Sequence, residues 1–410
     1  MAVLLIGTLD TKGAEFGYVR DLLHEAGVDV LVLDAGVLRP PLFSPDVPRE
    51  QVFAAAGEDL EALRQSGDRG RAVEAAARGA AVVARNLHRQ GRVDAVLGLG
   101  GSAGTAIGSA VMRALPFGVP KLMVSTMASG QVRPYVGQSD VCMMYSVVDV
   151  SGLNRISRRV LANAAAAVAG MVRGAKAPTG GEDRPLIAAT MFGVTTPCVD
   201  AARAHVEEAG YEALIFHATG VGGRTMETFI AEGQIAGVLD LTTTELADEL
   251  AGGVLSAGPE RLTAAALRGT PQVISLGALD MVNFGPPETV PEKHRGRRFH
   301  QHNPQVTLMR TTPEENDQLG KEIAHKASAA KGPTAVLVPR RGVSGLDREG
   351  GPFWHPEADA ALFQSLHDWM SPDVEFVELD LHINDPQFAE AAATTLLRYL
   401  KQPQRKQGSE

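Results

Sequence analysis

Three short segments of small and polar residues carry side chains suited to holding an anion. In GTLDTKG, residues 7–13, Asp10, Thr11 and Lys12 stand between an apolar run and a helical pattern. Backbone N–H groups at such a helix start point toward a bound anion, and a lysine adds a mobile point charge suited to phosphate. The same residues serve equally as a helix N-cap, Asp10 or Thr11, beside a solvated Lys12. The segment is not a Walker A loop, because GxxxxGK[ST] is absent. GLGGSAGT, residues 98–105, is a stronger signal. Gly100, Gly101 and Gly104 remove Cβ atoms where a ligand would approach, and Ser102 and Thr105 offer hydroxyls. Helix–strand packing is expected to explain two of its four glycines and ligand approach the others. The segment also fits G-x-G-x-x-A, but it follows the third strand and has no acidic residue about 20 positions later, which argues against NAD. STMASGQVRPYVGQSD, residues 125–140, adds Thr126, Ala128, Ser129 and Gly130 after a fourth strand. Alone it reads as an ordinary loop. Three such loops at the carboxyl ends of parallel strands would converge on one crevice, the usual ligand position in open α/β sheets.

The second half offers different chemistry. LDLTTTE, residues 239–245, sets Asp240 and Glu245 at a strand end, where they would face a small anionic metabolite together with His300. The competing reading is a set of caps and turns. KHRGRRFHQHNPQ, residues 293–305, combines His294, His300 and His302 with Arg295, Arg297 and Arg298. His300 and His302 share one face of an extended segment, a spacing that can bind metal, but three nearby arginines oppose a cation. Anion binding or a subunit contact in a homo-oligomer is preferred, and no metal site is assigned. Cys142 and Cys198 lie in apolar contexts that suit packing better than nucleophilic chemistry. His382 reads as a strand-end imidazole, and no G-x-S-x-G elbow occurs.

The elements that must position these residues alternate regularly. Apolar runs at 3–8, 28–36, 93–101 and 120–126 alternate with helical patterns at 14–26 and 70–90 and from 103. Strands that are apolar throughout imply parallel sheets covered on both faces. A Gly-, Pro- and charge-rich stretch at 173–185 reads as a linker, after which the alternation restarts. The expected architecture is therefore α/β: two consecutive Rossmann-like domains, 1–176 and 184–401, with mainly parallel sheets covered by helices. HEAGVDVLVLDAG and VEEAGYEALIFHATG echo each other at the start of each half, through duplication or through the shared grammar of α/β units. The 410 residues are 44% hydrophobic and 21% charged, which excludes disorder for most of the chain. A net charge of −9 and 5% aromatics argue against a nucleic-acid partner. The opening run reads as a core strand rather than a signal peptide, and no apolar segment reaches the length of a membrane helix. With two cysteines and no CxxC, a cytoplasmic, reducing location is expected.

GTLDTKG, GLGGSAGT, LMVSTMASGQVRPYVGQSD, HATGVGGRTME, LDLTTTELADEL, RFHQHNPQVTLMRT, LVPRRGVSGLD and DLHINDPQFA together span almost the whole chain. In these segments the chain resembles a largely uncharacterised family of bacteria, archaea, fungi and plants. Its best-known relative is the N-terminal ATP-binding, inhibitory region of the tomato mosaic virus resistance protein. The resemblance implies two α/β subdomains and an ATP site in the first, formed by the Asp10–Lys12, Gly100–Thr105 and Thr126–Gly130 loops. It also implies that a barrel domain carried by the plant relative would here be a separate protein partner or be absent.

The expected function is ATP binding, with Mg as an optional companion ion, in an enzyme acting on a small anionic metabolite held between the two domains. The alternative is a nucleotide-gated regulatory or protein-binding module without turnover. A nicotinamide oxidoreductase ranks last.

Overall fold

The computed structural model describes residues 2–175 and 184–401. The chain divides into two compact units, Met1–Gly180 and Gly181–Glu410. Most of the linker expected at 173–185 lies outside the described residues.

The first unit runs β1 (Ala2–Gly7), α1 (Leu9–Glu25), β2 (Asp29–Asp34), α2 (Arg49–Ala55), α3 (Leu60–Ser66), α4 (Arg69–Arg89), β3 (Ala95–Gly100), α5 (Ser102–Arg113), β4 (Lys121–Ser125), α6 (Arg133–Val136), β5 (Cys142–Tyr145) and α7 (Arg155–Gly174). Its five strands form one parallel sheet in the order β2-β1-β3-β4-β5. Alternate residues of a strand point to opposite faces. Val3, Leu5, Leu97, Leu99 and Val124 accordingly pack with Phe16, Val19, Leu161 and Val168 of α1 and α7. Leu4, Ile6, Val96 and Met123 pack on the other face with Ala76, Ala80, Val83 and Val111 of α4 and α5. This two-sided burial explains the unbroken apolar runs in the sequence.

The second unit runs β6 (Leu186–Met191), α8 (Thr196–Glu208), β7 (Glu212–His217), α9 (Val221–Ala231), β8 (Ile235–Thr242), α10 (Thr244–Ala251), α11 (Ala264–Arg268), β9 (Gln272–Gly277), β10 (Met281–Phe284), β11 (Phe299–Asn303), β12 (Val306–Arg310), α12 (Pro313–Ser328), β13 (Thr334–Pro339), α13 (Pro356–Trp369), β14 (Glu375–Leu379) and α14 (Pro386–Lys401). A six-stranded parallel sheet has the order β14-β13-β9-β8-β6-β7. A separate antiparallel sheet, β10-β12-β11, interrupts the alternation, a feature the sequence reading did not contain. The chain leaves β9 through Ala278, whose φ of +58° ends the strand, so Asp280 sits in the turn into β10. Among the described residues no helix is long and apolar enough to cross a membrane.

Candidate functional site

In each parallel sheet the strand order reverses direction about the first strand of its unit, at β1/β3 and at β6/β8. Connections on either side of such a point leave in opposite directions, and their loops part to form a crevice at the carboxyl ends. In the first unit this crevice is a cavity of about 880 Å3. Asp10, Thr11, Lys12, Gly101, Ser102, Gly104 and Thr126 all line it, so the three loops do converge. Gly100, Thr105, Ala128, Ser129 and Gly130 do not line it.

The local geometry differs from expectation at the first loop. α1 begins at Leu9, so GTLDTKG is mostly the first turn of a helix, broken at Lys12 by a non-helical φ of −130°. No side chain caps α1; Thr11 and Lys12 N–H groups bond the Thr8 carbonyl at 3.3 and 2.9 Å. The Lys12 ammonium donates to the Val150 carbonyl on the loop after β5. Asp10 Oδ2 accepts from the Leu38 and Arg39 N–H groups at 2.7 and 3.3 Å. Its Oδ1 is buried without a partner among the described residues.

The glycine loop separates into packing and access. A Cβ on Gly98 would lie 2.6 Å from Met123 Sδ, one on Gly100 2.8 Å from Gly104 Cα, and one on Gly104 3.0 Å from the Leu99 carbonyl oxygen. Close approach therefore explains three of these glycines, one more than expected. Gly101 is different: the nearest atom to its Cβ position is Thr126 Oγ1 at 3.7 Å. Gly101 is the N-cap of α5 and no side chain caps that helix, so its first-turn N–H groups open on the crevice. Thr105 closes the turn from beneath, bonding the Gly101 carbonyl at 2.7 Å and Ser125 Oγ at 2.6 Å.

Two contributions were missed in the sequence. Residues 145–149, after the short edge strand β5, form one wall, and Val147 holds a φ of +65° there. A β-branched residue in the left-handed region is strained, and such strain concentrates at functional sites. The opposite wall is apolar, with Val37, Leu63, Ala72, Val73, Ala76 and Ile107. Asp34, at the end of β2 where dinucleotide folds present an acid to a ribose, is buried and committed. It pairs with Arg49 at 2.6 Å and accepts from the Leu9 and Gly36 N–H groups at 3.0 and 2.9 Å.

In the second unit the structure corrects the placement of Asp240 and Glu245. Both surround Arg261, a guanidinium enclosed within the core. Asp240 takes two bonds from it at 2.5 and 2.6 Å and one from Thr190 Oγ1 at 2.8 Å. Glu245 takes one at 2.7 Å, and its other oxygen accepts from the Gly220 and Gly223 N–H groups at 2.6 and 3.1 Å. Glu227 completes the cluster at 3.3 Å and also accepts from the Leu262, Thr263 and Ala264 N–H groups. Burial lowers the pKa of Arg261, but the charges of Asp240, Glu245 and Glu227 outweigh it and the net shift is upward. Every oxygen of Asp240 and Glu245 is satisfied and enclosed, so neither can face a substrate.

His300 is not brought to them. It lies on β11 with its ring 6.1 Å from that of Phe353, and exposed His302 shares its face of the strand. The neighbouring arginines disperse: Arg295 pairs with Glu292, Arg297 with Glu315, and Arg298 donates to the Trp354 carbonyl. They form no joint anion clamp. His294 is buried against Phe284, and burial lowers its pKa. Burial pushes the Cys198 thiol up to about 12, whereas Cys142 is exposed on the edge strand, contrary to the packed position expected. Among the described residues no group of three or more His, Cys, Asp or Glu side chains is arranged to hold a metal ion.

Comparison with known proteins agrees with the two-part fold. The N-terminal domain of the uncharacterised protein family UPF0261 matches residues 1–177, and its C-terminal domain matches residues 184–400. A UPF0261 protein of Clostridium tetani is 49% identical over 97% of this chain and 99% of its own length. Another, from Rhizobium meliloti, is 49% identical over 95% of this chain and 97% of its own. The tomato ToMV resistance protein Tm-1 is 46% identical over 74% of this chain, a match that spans 41% of the tomato protein.

Proposed function

The chain belongs to the UPF0261 family, whose N- and C-terminal domains it carries, and on that premise we propose that its first unit binds ATP in the β1/β3 crevice. The observation that carries this reading is the open, uncapped start of α5 at Gly101 inside a cavity that also holds Lys12 and an apolar wall. Phosphates would meet the first-turn N–H groups of α5, the Ser102 and Thr126 hydroxyls and the Lys12 ammonium. The base would lie on the wall of Val37, Ala72, Val73 and Ile107. A cavity of this size is within the roughly 300–1,000 Å3 of small-molecule sites. Asp10 Oδ1, buried and unmatched, can accept from a ribose hydroxyl or take a place beside a nucleotide-bound Mg ion. Bound ATP would supply a transferable phosphoryl group. The commitment of Asp34 to Arg49 disfavours NAD, since the acid that would read its ribose is occupied.

Enclosure of Asp240 and Glu245 favours the second reading, a nucleotide-gated regulator without turnover, over an enzyme built on those side chains. Titration calorimetry of the full chain with ATP, ADP and NAD tests the site. ATP should bind, NAD should not, and Gly101→Val should remove the ATP signal. Phosphate release on adding metabolite pools would select the enzyme; bound but intact ATP would select the regulator. Failure of ATP to bind the wild-type chain would refute both.

A further inference from the structure

The second unit contains its own cavity, of about 930 Å3, at the carboxyl ends of β13 and β14. It lies away from the β6/β8 reversal, at the β14 edge of the sheet, and its lining differs from the first. Arg340 and Arg341 follow β13 directly, and Arg348 comes from the next loop. Arg340 pairs with Glu378 at 2.6 Å and Arg341 with Asp380 at 2.7 Å, and both pairs are largely exposed. Exposed pairs contribute little and exchange readily for a better-placed anion. The exposed Arg348 has no side-chain hydrogen bond or ion pair among the described residues. Three helices of 13, 14 and 16 residues, α8, α13 and α14, have their N-terminal ends at the same cavity, where Pro197, Pro356 and Asp385 line it, adding partial positive charge.

Two carboxylates oppose this field at the lining. Glu349 is exposed, and Asp385 already accepts from the His382 N–H at 2.8 Å. A third, Asp359, bonds Arg310 at 2.5 Å. Behind it lie Asp347 and Asp280, so one buried guanidinium faces three carboxyl groups. Asp280 Oδ1 and Asp347 Oδ1 are buried without hydrogen-bond partners. Such a cluster is relieved by holding protons. Burial first, then the Asp347 charge, pushes Asp280 up to about 8 and Asp359 up to about 7. The cavity thus has an arginine wall and, at Asp359, a carboxyl floor, with the half-exposed indole of Trp354 beside it.

We propose that this cavity binds a small metabolite carrying a phosphate monoester, its phosphate held by Arg340, Arg341 and Arg348 and its body lying between Trp354 and Asp359. A dianion with three terminal oxygens can use several guanidinium forks at once, which a single carboxylate cannot. The assignment is independent of what the first unit binds.

The full chain is to be melted and titrated with inorganic phosphate and with glucose 6-phosphate, ribose 5-phosphate and glycerol 3-phosphate. At least one of the sugar or glycerol phosphates should bind and raise the melting temperature. The double variant Arg341→Gln/Arg348→Gln should weaken it tenfold or more, while Gly101→Val, which alters only the first unit, should leave it unchanged. If the double variant melts lower without ligand, Arg348→Gln alone decides, because that side chain has no partner to lose. Absence of binding to the wild-type chain, binding that survives loss of the arginines, or binding lost with Gly101→Val would each overturn the assignment.

Discussion

Gly101 and Lys12 give the most direct tests at the scale of single residues. A Cβ at Gly101 has room, and its backbone is extended, so Gly101→Val should fold with a melting temperature close to wild type. The added methyls would stand over the α5 N–H groups, and ATP binding should disappear. Retained binding would reduce Gly101 to a spacer. Lys12 is less free than an exposed loop lysine would be, because it holds the Val150 carbonyl. Lys12→Ala should therefore loosen the loop after β5 by about 0.5–1.5 kcal/mol, the net value of a typical hydrogen bond. ATP affinity should fall by about 1–3 kcal/mol, the range for a bond to a charged group, as read by calorimetry. Equal affinity in the variant would remove Lys12 from the phosphate site.

At the scale of elements, legibility tracked how far each segment's own pattern determines its surroundings. β1, β3 and β4 are unbroken apolar runs, and their burial on both faces is a direct consequence. The three loops after them were therefore readable as one crevice. β5 is apolar, CMMY, but only four residues long with exposed ends, and β11 is FHQHN with little burial, so the first is too short and the second too polar to stand out as a core strand. The crevice wall at 145–149 and the antiparallel sheet went unread for that reason. Arg261 was illegible in a different way: its partners Glu227, Asp240 and Glu245 come from α9, β8 and α10, and only folding brings them together. That cluster ties those elements to the segment before α11. Arg261→Met would strand three buried carboxylates, and removing one partner of a buried pair costs about 3–5 kcal/mol. Urea unfolding should show the second unit destabilised by this order while ATP binding by the first unit persists. An unchanged midpoint would mean that the cluster contributes nothing.

At the scale of the whole molecule, each unit has its own sheet and its own two-sided core, so the chain should unfold in two separable transitions. Their responses should differ. If, as proposed, ATP binds the native first unit alone, it should raise that transition and leave the other in place. The second unit carries buried acids with raised pKa values, Asp280 at about 8 and Asp248 and Asp359 each at about 7, all raised chiefly by burial from 3.8. In the unfolded chain these groups are ionised at neutral pH, whereas the native unit keeps most of the Asp280 proton and part of the other two. The stability this contributes is present in full below the unfolded value and is lost as pH rises through 7 to 8. His294 acts oppositely, since its lowered pKa makes the native unit resist protonation, but only where the unfolded histidine titrates, near and below 6.5. The clean window is therefore pH 8 to 6.5. A fully retained proton is worth about 1.4 kcal/mol per pH unit, and with one group at about 8 and two at about 7, acidification across the window should stabilise the second unit by roughly 3 kcal/mol. At about 2–4 °C per kcal/mol for a unit of this size, its transition should rise by several degrees while the first barely moves. Asp280→Asn cannot ionise, so it should flatten this dependence and melt higher than wild type at pH 8. Calorimetric scans at four pH values with and without ATP resolve both effects. A second transition indifferent to pH, or an Asn variant less stable than wild type at pH 8, would show that the carboxyl cluster is ionised and compensated in the native chain.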